Sequence, residues 1–137
     1  HLEAYVHFYP TLSGEELDRL YDICDIALVS FGMYKAKFYG KMGALKSREC
    51  LAKGMPLITG CAIDVLPEDY PYAKVFPNDG SPVDTREIVA FYERVRGMAG
   101  SKKELSDTIR QFALAHVSME AVMRPVVSYI MSAERNL

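Results

Sequence analysis

The stretch KSRECLAKGMPLITG, residues 46–60, decides the fold. Lys46, Ser47, Arg48 and Glu49 open a short helix that Gly54 stops, since glycine readily takes the left-handed conformation in which helices end. Pro56 then leads into an apolar run, residues 56–60, that reads as a buried strand. Charged groups thus stand at a helix N-terminus, beside the carboxyl end of the preceding strand. In open parallel α/β sheets phosphate-bearing ligands sit there, because unpaired backbone N–H groups and the helix dipole favour an anion. The arrangement points to a nucleotide site.

Upstream, residues 26–31 are nearly all apolar, the pattern of a strand covered on both faces in a parallel sheet. Before it, Ser13 and Glu16 have capping-box spacing, and Leu17, Leu20, Tyr21 and Cys24 share one face of the helix that follows. That helix is expected to end within residues 22–25, and residues 5–9 form a further β-like run. Between strand and central helix lies GMYKAKFYGKMG, residues 32–43, which lacks either periodicity and reads as a loop. Its Lys35, Lys37 and Lys41 make it basic, suited to an anion held beside the next helix.

Downstream comes a proline-interrupted connection, a short strand at residues 73–76 and a turn at residues 78–82. Asp84 with Glu87, then Ser101 with Glu104, repeat the capping-box spacing. The helices they start carry Ile88, Phe91, Tyr92 and Val95, and then Leu105, Ile109, Phe112 and Ala113, on their inner faces. A last helix begins near Ser118 and carries Val122, Val126, Tyr129, Ile130 and Ala133, with Pro125 expected to bend it. Four strands alternating with helices predict an α/β fold, a Rossmann-like parallel sheet with flanking helices, in a single domain over residues 1–137. The chain lacks an initiator methionine and enters its first strand almost at once, so N-terminal truncation and an incomplete domain are expected.

Composition excludes more than it establishes. Half the 137 residues are apolar and the formal charge is −2, which suits a globular core and disfavours nonspecific nucleic-acid binding. No apolar run approaches the roughly 20 residues that span a bilayer, and no signal peptide is visible. A soluble cytoplasmic domain is expected. Cys24, Cys50 and Cys61 lack metal-like spacing and read as reduced thiols. His1, His7 and His116 are dispersed, so no metal is expected, and His116 reads as structural.

The order VHFYPTLSGEELDRLYDICDIALVS, then KSRECLAKGMPLITG, resembles the C-terminal, nucleotide-sugar-binding half of GT-B glycosyltransferases, in particular the retaining group known as family 4. There a helix ending in Y-x-x-A-D and a strand precede E-A-x-A-x-G-x-P-V-I, and here residues 21–25 and 49–58 take those places. The closing ALAHVSME is similar to the family's A-x-x-F-S-W-E, with Met119 in place of tryptophan.

The resemblance implies a donor site for a UDP- or GDP-sugar, with no cofactor and no metal. Glu49 matches the second of the family's two glutamates, whose carboxylate accepts hydrogen bonds from both ribose hydroxyls. The first falls at Lys41, a departure that brings positive charge to the donor sugar's place. Lys46 with Glu49 is similar to a K-x-x-E-Y-L-A variant in which the lysine faces the diphosphate, making Lys46, Ser47 and Arg48 diphosphate candidates. Asp64, Glu68 and Asp69 are weaker candidates for lining the cleft.

The family's leaving-group Arg and Lys, and its acceptor-binding N-terminal domain, have no counterpart in this chain. Its catalytic residues are therefore not assigned. The chain is expected to bind donor and, in the full enzyme, to support sugar transfer to a hydroxyl acceptor in polysaccharide or glycolipid synthesis. Its partners would be the donor and that N-terminal domain, through which peripheral membrane association could occur. The competing class is a noncatalytic flavodoxin-like binding or regulatory module. A phosphoacceptor receiver subtype is disfavoured, because the first strand ends at Tyr9 and Pro10 rather than in an acidic cluster.

Overall fold

The computed structural model describes residues 3–134. Its elements are α1 (Gly14–Ile23), β1 (Ala27–Val29), a 3-10 turn (Met33–Ala36), α2 (Leu45–Ala52), β2 (Leu57–Thr59), β3 (Ala73–Val75), α3 (Thr85–Arg96), α4 (Lys102–His116) and α5 (Met119–Glu134). The strands form one parallel sheet in the order β1-β2-β3. Ala27 pairs with Leu57 and Leu57 with Ala73, so all the carboxyl ends open on the same side. This is the α/β arrangement predicted from the alternation of helix and strand.

Central β2 is buried along its whole length, as its apolar run requires of a strand with neighbours on both edges. Leu51 of α2, Leu57 and Ile58 of β2, Val95 of α3 and Ile109 of α4 lose all solvent contact. Each such side chain contributes about 1.5–3 kcal/mol relative to exposure. The inner faces read from the sequence hold for α3 and α4: Phe91, Val95, Leu105, Ile109 and Ala113 are buried, with Ile88, Tyr92 and Phe112 half-buried.

Gly54 joins this core to the end of α2. Its φ of +76° terminates the helix, and a Cβ there would lie 2.1 Å from Ser106 Oγ and 2.5 Å from Ser106 O. Glycine thus serves both a left-handed turn and the close approach of α4.

Several expectations are corrected. Residues 5–9 form no strand, and Tyr5, Val6, Phe8 and Tyr9 are exposed. β-propensity expresses fit to a pleated, half-buried surface, and this segment has no such surface beneath it. Three strands are therefore described rather than four. Edge strand β1 is covered on one face only, burying Ala27 and Val29 while Leu28 stays 55% exposed.

Ser13 has the extended backbone of an N-cap, but its side chain makes no capping bond. The face of α1 still turns inward, with Leu17, Leu20, Tyr21 and Cys24 half-buried. Asp84 caps α3 by accepting from the Arg86 N–H, whereas Glu87 pairs with Lys74 at 2.7 Å, so that box closes on one side. At α4 Ser101 Oγ accepts from Glu104 N–H as expected, and the Glu104 carboxylate reaches one residue past the cap to accept from Gly100 N–H. The loop at residues 32–43 is partly ordered by its 3-10 turn. Helix α5 packs on α4 and continues past Pro125, while Val122, Val126, Tyr129, Ile130 and Ala133 remain exposed.

Candidate functional site

Helix α2 begins at Leu45, after an extended Ala44 that offers no side-chain cap. Within its eight residues the side chains diverge. Cys50 and Leu51 turn to the core, and Ser47 is also fully buried, its hydroxyl without a hydrogen-bond partner. Lys46 is exposed, while Arg48 and Glu49 are half-buried.

Arg48 and Glu49 line a cleft of about 540 Å³ between α2 and α4. Its walls are largely aliphatic, from Leu45, Ala52, Ala113 and Leu114, with Arg110 facing in from α4. Arg48 is engaged by Asp64, Nη2 to Oδ2 2.7 Å. Glu49 makes no ion pair among the described residues. Tyr21 and Cys50 lie close enough to sense its charge. Burial, reinforced by Cys50 and Glu49, pushes the Tyr21 phenol up to about 12. Burial and Glu49 push the Cys50 thiol up to about 11. Both groups are neutral at physiological pH, and the Tyr21 hydroxyl hydrogen-bonds to the Glu49 side chain, which lies in a largely aliphatic groove beside Arg48 and Arg110. Such a groove matches a planar, partly apolar ligand that presents hydroxyl donors.

A second set of residues gathers at the carboxyl ends of the strands. Gly60, after β2, passes so close to β1 that a Cβ would lie 3.0 Å from Ser30 O. Beyond it a crevice of about 330 Å³ is bounded by Lys41, Cys61, Phe76 and Asn78. Lys41 also lines an adjoining chamber of about 270 Å³ with Thr59 and Glu68. The 32–41 loop is fixed by Asn78, which accepts from Tyr34 N–H at 2.9 Å and donates to Phe38 O at 2.6 Å. The chain just beyond it is tied down where Met42 bridges Ile63.

The residues singled out in the sequence therefore divide between two places. Glu49 and Arg48 share the α2–α4 cleft, Lys41 stands at the strand ends, Lys46 is on the surface of α2, and Ser47 is inside. Of the weaker candidates, Asp64 holds Arg48 and Glu68 lines the chamber with Lys41. Sequence reading missed Arg110, which sits next to inward-facing Ile109 and so falls at the margin of an apolar stripe. It also missed Asn78, whose place in an NDGSP turn suggests only chain reversal. His116 stacks on Phe112 with centroids 4.2 Å apart, and its Nδ1 lies 2.9 Å from Phe112 O. His1 lies outside the described residues. No group of His, Cys, Asp or Glu among the described residues is placed to hold a metal ion, and no helix among them is long and apolar enough to cross a membrane.

In comparisons with known proteins, no family model, no curated protein and no solved structure matches this chain.

Proposed function

We propose that this chain is the donor-binding part of a retaining GT-B glycosyltransferase, and that it holds a UDP- or GDP-sugar. The observation that carries the reading is Glu49, a side chain with no ion pair among the described residues, lining a largely aliphatic cleft of about 540 Å³ on the helix that joins two parallel strands. In this reading Glu49 accepts hydrogen bonds from the ribose hydroxyls, the aliphatic walls take the base, and Lys46 meets the diphosphate near the start of α2. The buried Ser47 packs rather than binds, and Arg48 acts through Asp64, holding the start of α2 against the β2–β3 connection.

Transfer itself would need an acceptor-binding domain and further cations for the departing diphosphate. Catalysis would then consist of positioning the donor and stabilising charge as it develops. The chain alone is expected to bind donor without turning it over, in a cytoplasmic enzyme of polysaccharide or glycolipid synthesis.

Calorimetric titration with uridine and guanosine diphosphates tests the reading. Glu49→Ala should weaken the preferred nucleotide about tenfold, the loss expected for hydrogen bonds to a charged acceptor. Equal affinity for the variant and the parent chain would refute a ribose role for Glu49.

A further inference from the structure

The lysines of this protein fall into two groups. Lys53, Lys74, Lys102 and Lys103 each form an ion pair, with Asp18, Glu87, Asp25 and Asp107 respectively. Lys35, Lys37, Lys41 and Lys46 form none among the described residues. The unpaired group is contiguous in sequence, and no Asp or Glu lies between Asp25 and Glu49. A chain of net charge −2 therefore concentrates uncompensated positive charge in one segment. Of these lysines Lys41 lines the crevice of about 330 Å³ at the carboxyl ends of the strands, with Tyr39 and Gly40 beside it, while Lys35 and Lys37 are exposed earlier in the same loop.

We infer that the Lys35–Lys37–Lys41 loop and the ends of β2 and β3 form a binding crevice for a multiply charged phosphate group, with Asn78 as its positioning residue. The inference rests on the donor reading and deepens it by adding this loop to Lys46 as the place that meets the diphosphate. Arg48 is already neutralised by Asp64 at 2.7 Å, and Ser47 is sealed in the core. Ammonium groups on a loop are strongly hydrated point charges that bind phosphate without needing a fixed fork geometry. They concentrate anions most effectively when the segment carrying them faces a concave, partly apolar wall. Asn78 keeps that segment in place by bonding the backbone at Tyr34 and at Phe38, on either side of Lys35 and Lys37. It touches the loop rather than the ligand.

The test uses inorganic pyrophosphate as the probe, titrated into the full chain by calorimetry at low and at physiological salt. Binding should be stronger at low salt, and Lys41→Gln should weaken it about five- to tenfold, as expected for loss of one charged donor in a partly exposed site. Lys103→Gln, which removes the same charge from an ion-paired surface lysine, should change it far less. Asn78→Ala should lower affinity although it removes no charge. The Lys35→Gln/Lys37→Gln pair, at two exposed positions, should also weaken pyrophosphate binding, and an unchanged affinity there would overturn the loop's part in the crevice. Equal losses from Lys41→Gln and Lys103→Gln, or no pyrophosphate binding at millimolar concentration, would overturn the inference. If pyrophosphate binds through these lysines but a nucleoside diphosphate binds no more tightly, the crevice stands and the sugar-nucleotide reading fails. If nucleoside diphosphates bind equally well to the parent chain and to the lysine variants, the donor reading stands and the crevice fails.

Discussion

Ser47 shows how much a single position can mislead when only its neighbours in sequence are visible, whereas Cys50 is the buried reduced thiol that its sequence context suggested. Ser47 lies in a charged stretch at the start of a helix yet is buried, because α2 presents Ser47, Cys50 and Leu51 to the core. The Ser47 hydroxyl is buried without a partner, so Ser47→Ala removes an unsatisfied polar group and should leave stability within about 1 kcal/mol of the parent, or raise it. A urea midpoint lowered by more than that would mean that the hydroxyl is bonded in solution. Cys50 has a thiol pushed up to about 11 from an ordinary value of 9.0. A raised thiol value means that the folded state disfavours the thiolate. The stability it confers is therefore complete below about pH 9 and is lost as pH rises toward 11. Cys50→Ala should flatten that alkaline decline in a pH series of denaturant midpoints. An unchanged slope would place the cause elsewhere.

At the scale of elements, Gly54 makes the sharpest claim, because helix α2, strand β2 and helix α4 all depend on it. Gly54→Ala would force a Cβ into Ser106 and a left-handed backbone onto an alanine. It should cost about 2 kcal/mol or more, read as a lower urea midpoint with an unchanged slope. A midpoint equal to that of the parent would show that α4 gives way. The boundary at Gly54 was legible in the sequence because a glycine between a helical segment and an apolar run has few other uses. The buried faces of α3 and α4 were legible for the same kind of reason, a period of 3.6 residues. Residues 5–9 were misread because aromatic and β-branched residues announce only a preference that a neighbouring strand must satisfy. Ser13 was misread because capping-box spacing does not fix a rotamer: the backbone turns as expected and the side chain makes no bond.

For the whole molecule, the parallel sheet brings two distinct features onto one scaffold. One is the cleft of about 540 Å³ that contains Glu49, and the other is the lysine loop above the strand ends. The first half of the candidate site was legible because the helix and its acidic residue are close together in sequence. The second was only partly legible, since the residues that line cavities with Lys41 come from positions as distant as Thr59, Glu68 and Asn78. Such convergence is a property of the fold rather than of any local pattern. A donor spanning both features would touch α2, the start of the helix and the loop before it, and would leave the exposed faces of α5 unaffected. The most direct test is an amide chemical-shift map of the chain titrated with uridine and guanosine diphosphates. Shifts should cluster at Lys41, at Leu45 to Glu49 and at Arg110 to Val117. No shift at millimolar nucleotide, or shifts confined to α3 and α5, would contradict a donor site on this sheet.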